Sequence, residues 1–147
     1  MKKLTLMLAM MFALTTTWGF SGEKSINDAA LTAFKTEFAG ATDASWYADD
    51  DCYKVSFTLS DQRLFAFYRT DGEFIAVTRY ISAVQLPLFL QNSLRKFYQN
   101  AWVSDLYEVS TRSGSNYYVT LESADTKTVL KSVNGRDWSV YQKEKKN

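Results

Sequence analysis

The sequence predicts an α+β fold: a tandem repeat of a helix followed by an antiparallel meander, with two helices packed on one face of a curved antiparallel sheet. Apolar residues recur at helical spacing in two stretches, "SINDAALTAFKTEF" and "LPLFLQNSLRKFYQN". After each, period-two alternation takes over in short runs separated by turn residues, the pattern of strands that bury one face. Runs of strands joined by tight turns, with a helix before each set, suit helices laid on one side of an antiparallel sheet.

The chain has 147 residues and begins "MKKLTLMLAMMFALTTTWGFSG". Two lysines, an apolar run from Leu4 to Leu14 and then small or polar residues have the anatomy of a secretory signal peptide. The run is short for a membrane span, so residues 1–21 are expected to be removed and the remainder exported, to the periplasm or beyond. Cleavage is expected after Gly19 or Ser21, and no cysteine near either point suggests a lipid anchor. About 125 residues then form one domain, 22–147, built of two α-β units at roughly 25–81 and 82–142.

In the first unit Ser25 is the expected N-cap, Asp28 favours the first turn, and Ile26, Ala30, Phe34 and Phe38 share one helix face. Gly40 supplies a left-handed stop. Trp46 and the acidic "ADDD" precede "YKVSFTL", which alternates cleanly. A three-residue break, "SDQ", leads to "RLFAFYR", and Asp71-Gly72 is read as a two-residue type I′ turn into "EFIAVTRYI". The second unit opens at Pro87, suited to the first helical position, with Leu90, Leu94 and Phe97 as its inward stripe. Its strands are "VSDLYEVST", "YYVTLES", "KTVLKSV" and "DWSVYQK", separated by "RSGSN", "ADT" and Asn134-Gly135. Tyr53 and Tyr117 open matching Tyr-x-Val-x-apolar runs 64 residues apart, Asp71-Gly72 and Asn134-Gly135 differ by 63, and Phe74 and Trp138 by 64.

An export signal, a helix ending in Phe38, Trp46 before the first hairpin, "YKVSF", "YRTDGEFIAVTRYI", the "LP" at Leu86-Pro87 and a second copy ending "VNGRDW" come together over Ser25 to Tyr141. In these features the chain resembles the PepSY-like proteins of Bacteroidetes-type bacteria, whose fold is similar to the β-lactamase inhibitor protein. The resemblance implies a tandem α-β repeat with a concave sheet, in an exported protein that binds or inhibits other proteins. No contact motif specific to a β-lactamase is present to carry that inhibition over.

Composition narrows the chemistry. There is no histidine, which removes the commonest general base and metal ligand and every Ser-His or Cys-His nucleophile pair. Without Lys2 and Lys3 the 17 basic residues become 15 against 16 acidic ones, a balance that points to neither nucleic acid nor an anionic membrane. The single cysteine, Cys52, cannot form an internal disulfide and reads as a small half-buried apolar residue. Ser21 to Lys24 spells Ser-x-x-Lys but straddles the cleavage region, and Asp49, Asp50 and Asp51 lack the spacing and glycine of a calcium loop. Paired carboxylates from distant segments remain open by counting alone. No enzyme activity, metal or cofactor is expected.

If the turns are as read, Phe57 opposes Phe65 and Val55 opposes Phe67, so Tyr53, Val55, Phe57, Phe65, Phe67, Phe74 and Ala76 form the face under the helices. Lys54, Ser56, Thr58, Leu64, Ala66, Tyr68, Ile75, Val77 and Arg79 then face outward. In the second unit the inner set is Tyr117, Val119, Leu121, Val129, Val133, Trp138 and Val140, and the outer set Tyr118, Thr120, Leu130, Ser132 and Tyr141. Outward apolar residues with tyrosine and arginine are what protein-binding patches contain. Tyr68, Ile75, Arg79, Tyr118 and Tyr141 are therefore the expected contacts to an unknown protein or peptide of the cell envelope. A one-residue slip of register would exchange the faces, and strand propensity alone also favours such residues. The alternatives are a small-ligand carrier or hydrolase with an apolar pocket between helices and sheet, and a monomer that forms a weak homodimer through the same face.

Overall fold

The computed structural model describes residues 25–146. The signal-peptide reading, its cleavage site and the Ser-x-x-Lys fall at or before residue 24, outside the described residues. Among the described residues two α-helices and eight strands follow one another as α1 (Asp28–Glu37), β1 (Thr42–Ala48), β2 (Cys52–Leu59), β3 (Gln62–Arg69), β4 (Phe74–Tyr80), α2 (Leu88–Phe97), β5 (Trp102–Thr111), β6 (Gly114–Glu122), β7 (Thr126–Ser132) and β8 (Ser139–Lys145). The strands form one open antiparallel sheet in chain order, β1 to β8, and a single 3-10 turn, Ala83–Gln85, precedes α2. No helix among the described residues is long and apolar enough to cross a membrane.

Both helices lie on the same side of this sheet. Beneath α1, Ala30 and Phe34 bury against Tyr53, Val55, Phe57, Ala66 and Tyr68, with Ile26, Phe38 and Trp46 packed around them. The Phe34 ring meets the Phe57 and Trp46 rings edge-on at 5.0 and 5.4 Å, an arrangement that satisfies the aromatic quadrupoles. Beneath α2, Leu90 meets Leu106, Val119, Leu121 and Leu130, with Leu94 and Trp138 alongside. The α1 stripe is as its spacing predicts. In α2, Leu90 is buried and Leu94 half-buried, but Phe97 turns outward. The helix ends at Phe97, and Tyr98, next in the chain, packs inward instead.

Local chemistry moves several boundaries. Asn27, not Ser25, caps α1: its side-chain oxygen accepts from the Ala29 N–H at 2.6 Å while its amide donates to the Thr70 carbonyl at 3.2 Å. Pro87 is the N-cap of α2, so the helix begins at Leu88, one residue later than expected. Trp46 lies within a strand, β1, which the sequence does not signal because "TDASWYA" shows little alternation and its pairing is broken between Thr42 and Ser45. Asn134-Gly135 belongs to a longer loop between Ser132 and Ser139, in which the Asn134 side chain accepts from the N–H groups of Arg136 and Asp137.

Turn length decides the faces. Ser60 and Asp61 both adopt positive φ, 49° and 61°, so the β2–β3 connection is a two-residue turn that pairs Leu59 with Gln62. Phe57 therefore faces Leu64, Val55 faces Ala66 and Tyr53 faces Tyr68. The β6–β7 turn is likewise two residues, Ala124-Asp125, since the Ser123 N–H donates to the Thr126 carbonyl, and Leu121 pairs with Thr128 and Val119 with Leu130. Each connection is one residue shorter than read from sequence, and each slip exchanges the faces of the strand that follows. Leu64, Ala66, Tyr68, Leu130 and Ser132 thus lie on the helix side, and Phe65, Phe67 and Val129 on the other.

The Asp71-Gly72 turn is instead one residue longer than a type I′ turn. The Gly72 N–H donates to the Arg69 carbonyl and the Arg69 N–H to the Glu73 carbonyl, leaving Thr70, Asp71 and Gly72 in the loop. Gly72 (φ +91°) also lies against α1: a Cβ there would stand 2.7 Å from the Ala29 Cβ and 2.9 Å from the Ala30 nitrogen. Gly40 has a similar φ of +88° but open space around it. Gly72→Ala is expected to destabilise by about 2–4 kcal/mol in denaturant unfolding and Gly40→Ala by about 1 kcal/mol. Equal losses would show that backbone conformation alone, and not the helix contact, selects glycine at position 72.

Candidate functional site: the helix-free sheet face

The side of the sheet away from the helices carries its own apolar layer. Ala76, Val109, Tyr118 and Val129 are buried there, with Ile75, Tyr107 and Tyr141 packed on them. Aromatic side chains from neighbouring strands do the covering that helices do opposite. Register places Tyr80 beside Tyr107 and Tyr107 beside Tyr118, and Tyr141 comes in from β8 at a pairing irregularity next to Leu130. The rings run as a ladder: Tyr80 to Tyr107 edge-on at 6.3 Å, Tyr107 to Tyr118 stacked at 5.3 Å and 10°, Tyr118 to Tyr141 edge-on at 5.8 Å. The Lys131 ammonium lies 5.4 Å from the centre of the Tyr118 ring and 5.9 Å from that of Tyr141.

The ladder has a floor and a rim. Tyr118 is 1% exposed and acts as floor, whereas Tyr80 is 67% exposed and stands out from the sheet. On the β2–β3 side the layer continues in half-buried Phe65 and Phe67, with the Lys54 ammonium 4.7 Å from the centre of the Phe65 ring. At the other end exposed Trp102 lies beneath the Lys146 ammonium at 4.8 Å, and Lys146 pairs with Glu122 at 2.7 Å. Such a surface of large amphipathic rings, cations and few loops offers contact area at low entropic cost.

Of the residues expected to contact a partner, Ile75, Tyr118 and Tyr141 lie on this face. Tyr68 and Arg79 do not. Tyr68 is fully buried beneath α1, its hydroxyl donating to Glu37 at 3.2 Å, because the two-residue Ser60-Asp61 turn rotates it inward. Arg79 lies on the helix side, where its guanidinium donates to Glu108 at 2.9 Å and Gln62 at 3.0 Å, because it pairs in register with Leu64 and Glu108. Tyr80, Tyr107, Phe65, Phe67 and Lys131 are the face residues that the sequence reading missed. The register Tyr107–Tyr118, had the turns been known, would have shown the ladder.

Burial controls the ionisation of this layer. It raises the phenols of Tyr107 and Tyr118, with the neighbouring tyrosines adding to the effect, and it raises Tyr68, where the Glu37 carboxylate adds to burial. Burial likewise raises the Cys52 thiol, reinforced by Asp49 and Asp51, which keeps it an unreactive thiol at neutral pH. Among the described residues no three His, Cys, Asp or Glu side chains gather as a metal site requires.

The comparisons with known proteins bear on the fold. No family model matches the chain, and no curated protein matches it. Among solved structures, a BLIP-like protein from Bacteroides fragilis superposes with a TM-score of 0.72 at 16% identity, over 84% of this chain and 89% of that one. A DUF2874 family protein from Bacteroides uniformis gives 0.71 at 14% identity, over 81% and 88%. A protein from Bacteroides eggerthii, provisionally assigned to the periplasm, gives 0.69 at 13% identity, over 83% and 90%. The chain has a BLIP-like fold: two helices on one side of an open eight-stranded antiparallel sheet.

Two measurements probe this layer. Raised tyrosine pKa values mean that the folded state holds protons the unfolded chain releases, so stability is full below about pH 10 and falls as pH rises above it. Absorbance titration should show the phenols of Tyr68, Tyr107 and Tyr118 ionising only as the protein unfolds; reversible ionisation near pH 10 in the folded protein would contradict their burial. The Thr120 hydroxyl on the same face is fully buried and has no hydrogen-bond partner among the described residues. Thr120→Val is therefore expected to stabilise by about 1 kcal/mol in denaturant unfolding, and a loss of that size would reveal a bond to that hydroxyl.

Proposed function

We propose that the chain is an exported, non-catalytic binding or inhibitory module of the PepSY-like type, acting through the helix-free sheet face on a protein or peptide of the cell envelope. The observation that carries this reading is the tyrosine ladder on a sheet face that no helix among the described residues covers. A sheet that only faced water would be stable with polar residues there. Large rings with cations at their margin suit a protein contact.

Other observations support parts of the reading. The absence of histidine and of a metal-type cluster among the described residues favours binding over catalysis. Phe34, Phe57 and Tyr68 fill the space between α1 and the sheet, and Leu90, Val119 and Leu130 that beneath α2, which favours an external surface over an enclosed ligand pocket. The BLIP-like fold of the Bacteroides fragilis protein and the provisional periplasmic assignment of the Bacteroides eggerthii one fit an exported binder. A tandem origin is supported by the order of a helix then four strands, given twice, and by irregular pairing in the first and fourth strands of each set.

A Tyr80→Ala/Tyr141→Ala double variant tests the face, with Phe89→Ala, an exposed change on α2, as control. A partner isolated from envelope extract with the wild type is expected to bind the double variant about tenfold or more weakly and the control unchanged. Loss of binding in Phe89→Ala with the double variant unaffected would move the site to the helical side.

A further inference from the structure

The Asn134-Gly135 pair between β7 and β8 has chemistry of its own. Asn134 is the one asparagine of the chain that glycine follows. In such a pair the glycine nitrogen can attack the asparagine side-chain carbon, because glycine has no side chain to obstruct the approach or restrict the backbone. A C–N bond forms and closes a succinimide ring, the glycine nitrogen loses its proton, and the side-chain nitrogen leaves as ammonia. Water then opens the ring to aspartate or to isoaspartate, in which the main chain runs through the side-chain carbon. In the folded protein both reacting groups are engaged elsewhere. The Gly135 N–H donates to the buried Ser132 hydroxyl oxygen at 3.1 Å. The Asn134 Oδ1 accepts from the Arg136 and Asp137 N–H groups at 2.9 and 3.0 Å and from the Ser132 hydroxyl at 3.3 Å, and its Nδ2 donates to the Asp137 carboxylate at 3.2 Å. Ring closure takes the Gly135 proton out of the first of these bonds and the departing nitrogen out of the last.

We propose that Asn134-Gly135 is a deamidation site held closed by Ser132 and Asp137 in the folded protein, and that its conversion unseats the start of α2. This site is independent of the binding face. The loop that carries it docks on the helix at three points. A Cβ at Gly135 would stand 3.5 Å from the Pro87 ring, the Arg136 guanidinium lies 5.8 Å from the centre of the Phe89 ring, and the Trp138 indole donates to the Leu90 carbonyl at 3.2 Å. All three fall at the first turn of α2, whose N-cap, Pro87, makes no side-chain hydrogen bond. Conversion to aspartate replaces the Nδ2 donor by a carboxylate beside that of Asp137, so like charges meet where a hydrogen bond was. Conversion to isoaspartate adds a carbon to the main chain next to Gly135 and displaces the loop from Pro87 and Phe89. Local opening of the loop sets how often the reaction can begin, and the modified residue is a covalent record of that opening.

Incubation of the purified mature protein at mildly alkaline pH tests this, followed by peptide mapping that separates Asn, Asp and isoAsp at position 134. Native wild type, native Ser132→Ala and wild type in guanidinium are compared, and thermal unfolding confirms that the variant is folded. Wild-type conversion should be about tenfold or more slower in the native protein than in guanidinium, and Ser132→Ala about threefold to tenfold faster than native wild type. Equal wild-type rates with and without guanidinium would overturn the closed site, whether or not Ser132→Ala folds. A folded Ser132→Ala protein that converts no faster than wild type would overturn the hold assigned to Ser132. Converted protein, separated by its added charge, is then compared with unconverted protein by hydrogen exchange. The Leu90 and Gln91 amides, which bond to the Pro87 carbonyl, should exchange about tenfold faster after conversion. Unchanged exchange there would overturn the unseating of α2.

Discussion

The register of a single eight-stranded meander governs this protein. In a sheet whose side chains alternate between faces, one residue of turn length decides which residues become core and which become surface. Ser60-Asp61 and Ala124-Asp125 make that decision at corresponding places in the two halves. With two-residue turns, Tyr53, Val55, Phe57 and Ala66 converge beneath α1, and Val119, Leu121 and Leu130 beneath α2. The same choice sends Phe65, Phe67 and Val129 to the opposite side, where they join the tyrosine layer.

That layer gives the molecule a second packed surface without a second set of helices. Tyr118 is fully shielded on a sheet face open to solvent because Tyr107 stacks over it and Tyr141 and Lys131 close its flanks. Rings that shield one another in this way pre-organise the surface, since a partner need not order them on binding. Conformational entropy that would be lost at a loop-built site is already lost in folding. The open face and the two helical cores are therefore parts of one packing solution.

Helix positions and strand content were legible because their signals are local. Ala30 and Phe34 recur at helical spacing, and Tyr53, Val55 and Phe57 alternate without interruption. What sequence reading did not recover depends on pairing between segments. Ser60 and Asp61 are not the Asn-Gly or Asp-Gly that advertises a two-residue turn, yet both take the left-handed conformation, and Asp-Gly at 71-72 makes a longer loop. Hence Tyr68 and Arg79 were placed outside when they belong within, while Tyr118 and Tyr141 were placed correctly because the β5–β6 pairing and β8 were unaffected by those turns. Tyr107 was missed as a site residue because only its pairing with Tyr118 marks it.

A contact from the second half back to α1 has a consequence for assembly. Each strand pairs only with the strands next to it in the chain, so pairing can advance from β1 to β8 in the order in which the polypeptide is made or delivered. Arg112, in the turn between β5 and β6, runs against that order: it returns to Glu37 at the end of α1, where it also covers the Phe74 ring. The Glu37 carboxylate binds Tyr68 as well, so this late-arriving guanidinium closes over groups placed much earlier. The first half thus gains this last contact only once the second has begun to form.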